Sequence, residues 1–187
     1  MTAEIVTQIE NMLMHKGAGL YGGEAVTQTQ HALQCAALAE EKGASAELIS
    51  ASLLHDIGHL LEPEFETAHN GNQDMVHEDL GEAFLEQWFG PAVTQPVKLH
   101  VAAKRYLCAT HESYLAKLSP ASVHSLQLQG GRMTGEEIAR FESNPYYKDA
   151  VRLRVWDDLA KDPDASTPGV AHFMKFVEQS LFINRKT

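Results

Sequence analysis

The chain is short of cysteine, of basic residues and of long apolar runs, and each shortage excludes something. Two cysteines, Cys35 and Cys108, cannot build a disulfide framework. Both lie in apolar, helix-patterned surroundings and read as packing residues, which makes a reduced cytoplasm the expected compartment. Fifteen Lys and Arg against 25 Asp and Glu give a formal net charge of -10 over 187 residues. Such a surface repels nucleic acid and anionic membranes, and no local basic patch offsets it. No apolar stretch approaches the ~20 residues that span a bilayer, and the first residues lack the basic-then-apolar pattern of a secretory signal. Strict apolar–polar alternation never lasts long enough for a strand, and there is no internal repeat or low-complexity tract. The expectation is one soluble all-α domain over 1–187, with neither nucleic acid nor membrane as partner.

What is present is a series of helical patterns. Ile5, Ile9 and Met12 or Leu13 set the first, which Gly17-Ala18-Gly19 ends. A loop through Tyr21-Gly22-Gly23-Glu24 leads to a second helix over 26–41. Ser45 can cap a third, whose stripe of Ile49, Leu53, Ile57 and Leu60 predicts one helix running on to Pro63. A polar loop is expected over 64–75. Leu80, Phe84 and Trp88 mark a fourth helix, stopped by Gly90-Pro91. A fifth, over 94–109, would place His100 and Lys104 one turn apart on one face. Thr134-Gly135-Glu136-Glu137 fits a capping box, and helices over 146–161 and from Val170 onward complete the pattern.

Ten histidines are the unusual count, and they cluster with carboxylates. In a helix through Leu54-His55-Asp56-Ile57-Gly58-His59-Leu60, His55 and His59 share a face and Asp56 adjoins His55. Because the apolar stripe faces the core, these polar groups are expected in or near the interior. There they need hydrogen bonds, partners or a metal. An adjacent His-Asp pair can bind one metal through the imidazole and share the carboxylate with a second, and such ligands suit iron, manganese, zinc or magnesium. His31, His77, His100 and the Asp157-Asp158 pair fall on other helices, and a bundle can aim all of them inward. His15, His69, His111, His124 and His172 read as surface or hydrogen-bonded core residues.

The order His31, His55-Asp56 and Asp157 resembles the HD-domain superfamily, an all-α helical bundle whose members are mostly metal-dependent phosphohydrolases. With His77 and His100 between the pair and the last Asp, the chain looks like the dinuclear subset. It is most similar there to the PhnZ-type phosphonate-cleaving oxygenases, small mixed-valent diiron relatives of myo-inositol oxygenase. The resemblance implies that His31, His55, Asp56 and Asp157 hold one iron, and that Asp56 bridges to a second completed by His77 and His100. It also implies an Fe(II)/Fe(III) resting pair with dioxygen as cosubstrate. Asp158 is the rival to Asp157, which is preferred because the family's Asp follows the Trp directly.

The same resemblance assigns Tyr21, His59 and Lys104 to catalysis, and Glu24, His59, Lys104, Ser122, Ser125 and Arg154 to substrate. Tyr21 would occupy an open iron position until substrate displaces it, and Glu24 would pair with a substrate ammonium. Lys104 and Arg154 are cations beside a metal site and suggest an anionic substrate group. An ion pair with Asp158 is the alternative for Arg154, helix capping for the two serines, and an ordinary loop for Tyr21 and Glu24. The implied reaction is oxidative cleavage of the C–P bond of a 1-hydroxyphosphonate. The favoured substrate is 2-amino-1-hydroxyethylphosphonate, giving glycine and phosphate, since Glu24 can accept hydrogen bonds from a primary ammonium. The alternatives are the trimethylammonio analogue giving glycine betaine, a phosphohydrolase of a nucleotide or phosphate ester, and a non-catalytic ligand-binding domain. A 2-oxoglutarate-dependent hydroxylase that supplies the substrate is an implied functional link.

Overall fold

A computed structural model of the chain describes residues 2–61 and 77–182. Pro63, His69 and the loop expected over 64–75 lie outside the described residues. The helices in chain order are α1 (Thr2–His15), α2 (Gln28–Glu41), α3 (Ala46–Leu54), α4 (His77–Leu85), α5 (Pro91–Thr110), α6 (Pro120–Leu128), α7 (Gly135–Glu142), α8 (Tyr147–Leu159) and α9 (Val170–Ser180). Short 3-10 turns occupy Ile57–Leu60 and Leu115–Lys117. Among the described residues there is no strand, only the isolated bridges Leu20–Thr27 and Phe89–Leu181. The fold is all-α, and no described helix is long and apolar enough to cross a membrane.

Local signals set the helix ends. Thr27 opens α2 with a capping box, its hydroxyl accepting from Gln30 N while the Gln30 side chain accepts from Thr27 N. Thr134 and Glu137 do the same for α7, and Ser45 and Ser119 cap α3 and α6. Apolar stripes then fix the packing. Ile5, Ile9 and Leu13 of α1, Cys35 and Ala39 of α2, Ile49 and Leu53 of α3, Val93 and Val97 of α5, Leu153 and Trp156 of α8, and Phe173 and Val177 of α9 share one core. The long α5 runs along α8 and also meets α3 and α4, while α2 packs on α3 and α8. A smaller cluster of Ala103, Phe141 and Ala150 joins α5, α7 and α8. The polar groups of α2, α3, α5 and α8 therefore project into one shared interior.

Several boundaries differ from the sequence expectation, among them α4, which ends at Leu85 short of Trp88, and α2, which starts at Gln28 rather than 26; two others shape the site. The helix expected to run through His59 stops at Leu54; Asp56 adopts φ -102 and ψ 15, and Ile57–Leu60 continues as a 3-10 turn. Ile57 and Leu60 stay buried because three residues make one 3-10 turn, so the apolar spacing fits either helix. His55 and His59 thus do not share one α-helical face. Gly58 is held by a close approach to α4: a Cβ there would lie 2.0 Å from the His77 carbonyl oxygen. α8 ends at Leu159 rather than 161, which leaves the Ala160 carbonyl to accept from the His31 ring. α5 starts early, at Pro91, because proline at the first helical position needs no N–H partner. Pro96 then sits inside the helix without donating a backbone hydrogen bond.

Candidate active site

His31 from α2, His55 and Asp56 at the end of α3, His77 from α4, His100 from α5 and Asp157 from α8 converge, all of them buried. Their ring orientation follows from backbone carbonyls. Nδ1–H of His31 donates to Ala160 O (2.8 Å), that of His55 to Ser52 O (2.9 Å) and that of His100 to Val97 O (2.6 Å). A carbonyl can only accept, so each Nδ1 carries a proton and each Nε2 is the atom turned to the centre. There the Nε2 atoms of His31 and His55 stand 3.1 Å apart, as do those of His77 and His100. Facing lone pairs at that distance repel unless a cation lies between them.

Asp56 divides the cluster in two. Its Oδ2 is 3.1 Å from His55 Nε2 and 3.8 Å from His31 Nε2, while its Oδ1 is 3.3 Å from His77 Nε2 and 3.5 Å from His100 Nε2. Asp157 joins the first side, with Oδ1 3.4 Å from His31 Nε2. Ligand atoms of His31, His55 and Asp157 all lie within 4.8 Å of one another, and so do those of Asp56, His59 and His77. Asp56 Oδ2 is buried and accepts no hydrogen bond, a state that native structures rarely leave without an ion or water. The donor set and this oxygen fit a metal centre with two halves that share one carboxylate.

The electrostatics answer the same demand. Burial pulls the His55 imidazole down, but the Asp56 carboxylate outweighs it and raises its pKa to about 9. Burial likewise works against ionised Asp56, and the imidazoles of His55, His100 and His77 hold it well below the usual carboxylate range. Burial lowers the pKa of His100, which keeps it neutral as a ligand must be. A proton on His55 does in part what a metal cation would do fully.

A cleft of about 140 Å³ opens beside this centre. Asp56, His77 and His100 form its floor, and Tyr21, Glu24, His59, Lys104, Ser122, Ser125 and Arg154 stand in its walls, while His31, His55 and Asp157 lie behind. Tyr21 stacks on His31 with ring centroids 3.7 Å apart, and its hydroxyl donates to Asp157 Oδ1 at 3.3 Å. His59 stacks on His77 at 4.2 Å. Gly22 and Gly23 have φ of 45° and 85°, a region that other residues rarely adopt, and the turn they make brings Glu24 over the cleft. Lys104 donates to Ser125 Oγ at 2.6 Å. The sequence reading gave no site role to Lys161, which donates to Ser122 Oγ at 3.0 Å and stands 3.3 Å from Glu24 Oε1. It also missed Ser119, the donor to Glu24 Oε1 at 2.6 Å, and the lining residues Gln28 and Gln129. Helical spacing already placed Lys161 one turn past Asp157, without a role; the glutamines carried no signal.

The two aspartates of α8 part company. Asp157 enters the cluster, whereas Asp158 turns to the Arg154 guanidinium and the Tyr114 hydroxyl. Arg154 borders the cleft, but its Nη1 is 2.7 Å from Asp157 Oδ2 and its Nε and Nη2 bind Asp158. The alternative raised for Arg154, a pair with Asp158, is therefore present, and the fork expected for a phosphonate is already engaged. Burial pushes the Asp157 carboxyl up, yet Arg154 outweighs it and holds it well below the usual range.

The chain matches the HD domain family over residues 29–157. It is 43% identical over 177 residues to the 1-hydroxy-2-(trimethylamino)ethylphosphonate dioxygenase (glycine-betaine-forming) of Leisingera caerulea, covering 95% of this chain and 90% of the relative. It is 46% identical over 179 residues to the hydroxymethylphosphonate dioxygenase of Gimesia maris, covering 95% and 89%.

Proposed function

We propose that this chain, which belongs to the HD-domain family in its branch of phosphonate dioxygenases, uses dioxygen to cleave the C–P bond of a small 1-hydroxyphosphonate. The observation that carries the reading is Asp56, whose two oxygens face two histidine sets on the floor of a cleft walled by Lys104 and Lys161. In our reading His31, His55, Asp56 and Asp157 hold one iron, and Asp56, His77 and His100 the other. When bound, the metal pair supplies the one-electron and dioxygen chemistry that no side chain here can supply. The names of the relatives support an oxygenase over a phosphohydrolase, and a C–P bond offers no ester oxygen as leaving group.

The protein's own part is binding and orientation. Lys104, tied to Ser125, and Lys161, tied to Ser122, present cations to a phosphonate in a chain that is acidic overall. His59 stands beside His77 at the cleft wall, where it can hydrogen-bond the substrate. Tyr21 closes the His31 side and keeps water from it, with its phenol proton held on the hydroxyl because burial raises its pKa. The favoured substrate remains 2-amino-1-hydroxyethylphosphonate, whose ammonium would take hydrogen-bonding places on Glu24. With one dioxygen its atoms make up glycine and phosphate. A quaternary ammonium has no N–H for Glu24 and calls for an aromatic cage. Among the described Phe, Trp and Tyr residues only Tyr21 lines the cleft.

One observation favours a second substrate. Glu24 already receives Ser119 and Lys161 from this chain, so an unsubstituted hydroxymethylphosphonate leaves no carboxylate unpaired. Initial rates of phosphate release from the amino, trimethylammonio and unsubstituted hydroxyphosphonates, measured with iron-loaded protein, decide among them. The reading expects the amino compound to have the highest kcat/KM. A higher value for hydroxymethylphosphonate would move the assignment to the unsubstituted substrate, and a preference for the trimethylated one would overturn the Glu24 argument.

A further inference from the structure

Arg154, Asp157 and Asp158 share one face of α8, and Tyr114 reaches them from the segment that precedes the Leu115–Lys117 turn. The four side chains form a continuous relay. The Tyr114 hydroxyl donates to Asp158 Oδ2 and accepts from Arg154 Nε at 3.3 Å. Asp158 binds Nε and Nη2 of the guanidinium, which leaves Nη1 to meet Asp157 Oδ2 at 2.7 Å. With Oδ2 held in this way, Asp157 turns Oδ1 to the centre, where it stands 3.4 Å from His31 Nε2 and accepts from Tyr21. We propose that Tyr114 and Asp158 are positioning residues that lock the Arg154 fork against Asp157 Oδ2 and so aim the other carboxylate oxygen, Oδ1, at the His31–His55 half of the metal centre.

The arrangement has the features that aiming needs. A lone arginine on a helix has several rotamers, but here Nε, Nη1 and Nη2 are each assigned a partner, in the planar geometry that only a guanidinium offers. Arg154 and Asp157 are both buried, so water screens their pairing little. Tyr114 is the one member from outside α8; it lines a groove with Leu107 and Val151, and its hydroxyl is held by Asp158 and Arg154. Burial raises the Tyr114 phenol well above its ordinary pKa, so it stays a donor. Groups that orient a metal ligand from behind commonly matter 10–100-fold to metal affinity. An ordinary helix ion pair would not touch that affinity at all.

The inference rests on Asp157 being a metal ligand, and its test needs neither substrate nor oxygen, so it stands or falls apart from the phosphonate reading. Anaerobic Fe(II) titrations compare the native chain with Tyr114→Phe, Asp158→Asn and Asp157→Asn, and with Tyr114→Phe in the Asp157→Asn background; circular dichroism verifies folding. Tyr114→Phe is expected to weaken one equivalent of Fe(II) by roughly 10–100-fold while helix content holds. In the Asp157→Asn background it should add no further loss, because it acts through Asp157. Should Asp158→Asn fail to fold, Tyr114→Phe, which removes a single hydroxyl, still decides. Unchanged affinity in Tyr114→Phe, or an equal further loss without the Asp157 carboxylate, would overturn the proposal. Intact Fe(II) binding by Asp157→Asn alone would overturn the ligand reading and the relay together.

Discussion

Asp56 offers one oxygen to each side of the cluster, and no other described side chain does so. Replacing it by asparagine keeps the size and removes the shared charge. Asp56→Asn should lose metal from both halves, and turnover should fall by more than ~100-fold with helix content unchanged. Metal analysis after gel filtration reads the outcome, and a full metal complement would contradict the bridging role. A second prediction concerns pH. In the metal-free protein the folded pKa of His55 is raised from 6.5 to about 9, so its stabilising contribution is complete below 6.5 and is lost as pH rises through about 9. The Tm of metal-free protein should therefore fall across that window. Metal binding within it should release the His55 proton into a weakly buffered solution. A flat Tm and no proton release would show that His55 is neutral in the free protein. The His55-Asp56 pair was legible because it interrupts an apolar stripe, and His77, His100 and Asp157 became legible through their order in the chain. Arg154 was ambiguous for a physical reason: spacings of three and four to two aspartates suit an ion pair as well as a substrate contact.

At the scale of elements, the short turn after α3 does most to build the site. A continuous α-helix separates neighbouring side chains by about 100°, whereas the break at Asp56 lets His55 Nε2 and Asp56 Oδ2 meet at 3.1 Å. Periodicity could not show this, since Ile57 and Leu60 satisfy both helix types. Gly58 then seats α4 against the turn, with the His77 carbonyl oxygen and carbon 2.0 and 2.8 Å from where a Cβ would be. Gly58→Ala must push α4, and His77 with it, away from Asp56. It should cost about 1–3 kcal/mol of stability, as overpacking does, and weaken metal binding on the His77–His100 side more than on the other. An alanine variant with native Tm and native metal affinity would refute the close approach. The other helices were legible from caps and stripes: the capping box at Thr134 and the Ser45 cap lie where the sequence placed them, whereas α4 ends at Leu85, short of Trp88 and the expected Gly90-Pro91 stop, and the Ser119 cap was not foreseen.

Across the whole molecule a net charge of -10 surrounds a cleft whose walls carry Lys104 and Lys161. Those cations give the acidic chain a local place for an anion. Lys104→Met and Lys161→Met each remove a charged hydrogen-bond donor, which is worth about 1.5–3 kcal/mol. Each should lower kcat/KM for a hydroxyphosphonate by roughly 10–150-fold, with intact metal content. Loss of metal instead would make the lysines part of the scaffold. In the sequence Lys161 was legible only as lying one turn past Asp157, and the folded chain shows it meeting Ser122 and Glu24 from beyond the helix end. The all-α class was legible throughout, because capped apolar stripes recur and alternation is missing. The central claim is that dioxygen, and not water, breaks the C–P bond at the Asp56 centre. Iron-loaded protein, prepared under reducing conditions, is mixed with 2-amino-1-hydroxyethylphosphonate with and without dioxygen, and phosphate, glycine and oxygen uptake are quantified. The account predicts equal phosphate and glycine, matched by oxygen consumed, and neither product without oxygen; phosphate released in the anaerobic tube would contradict it.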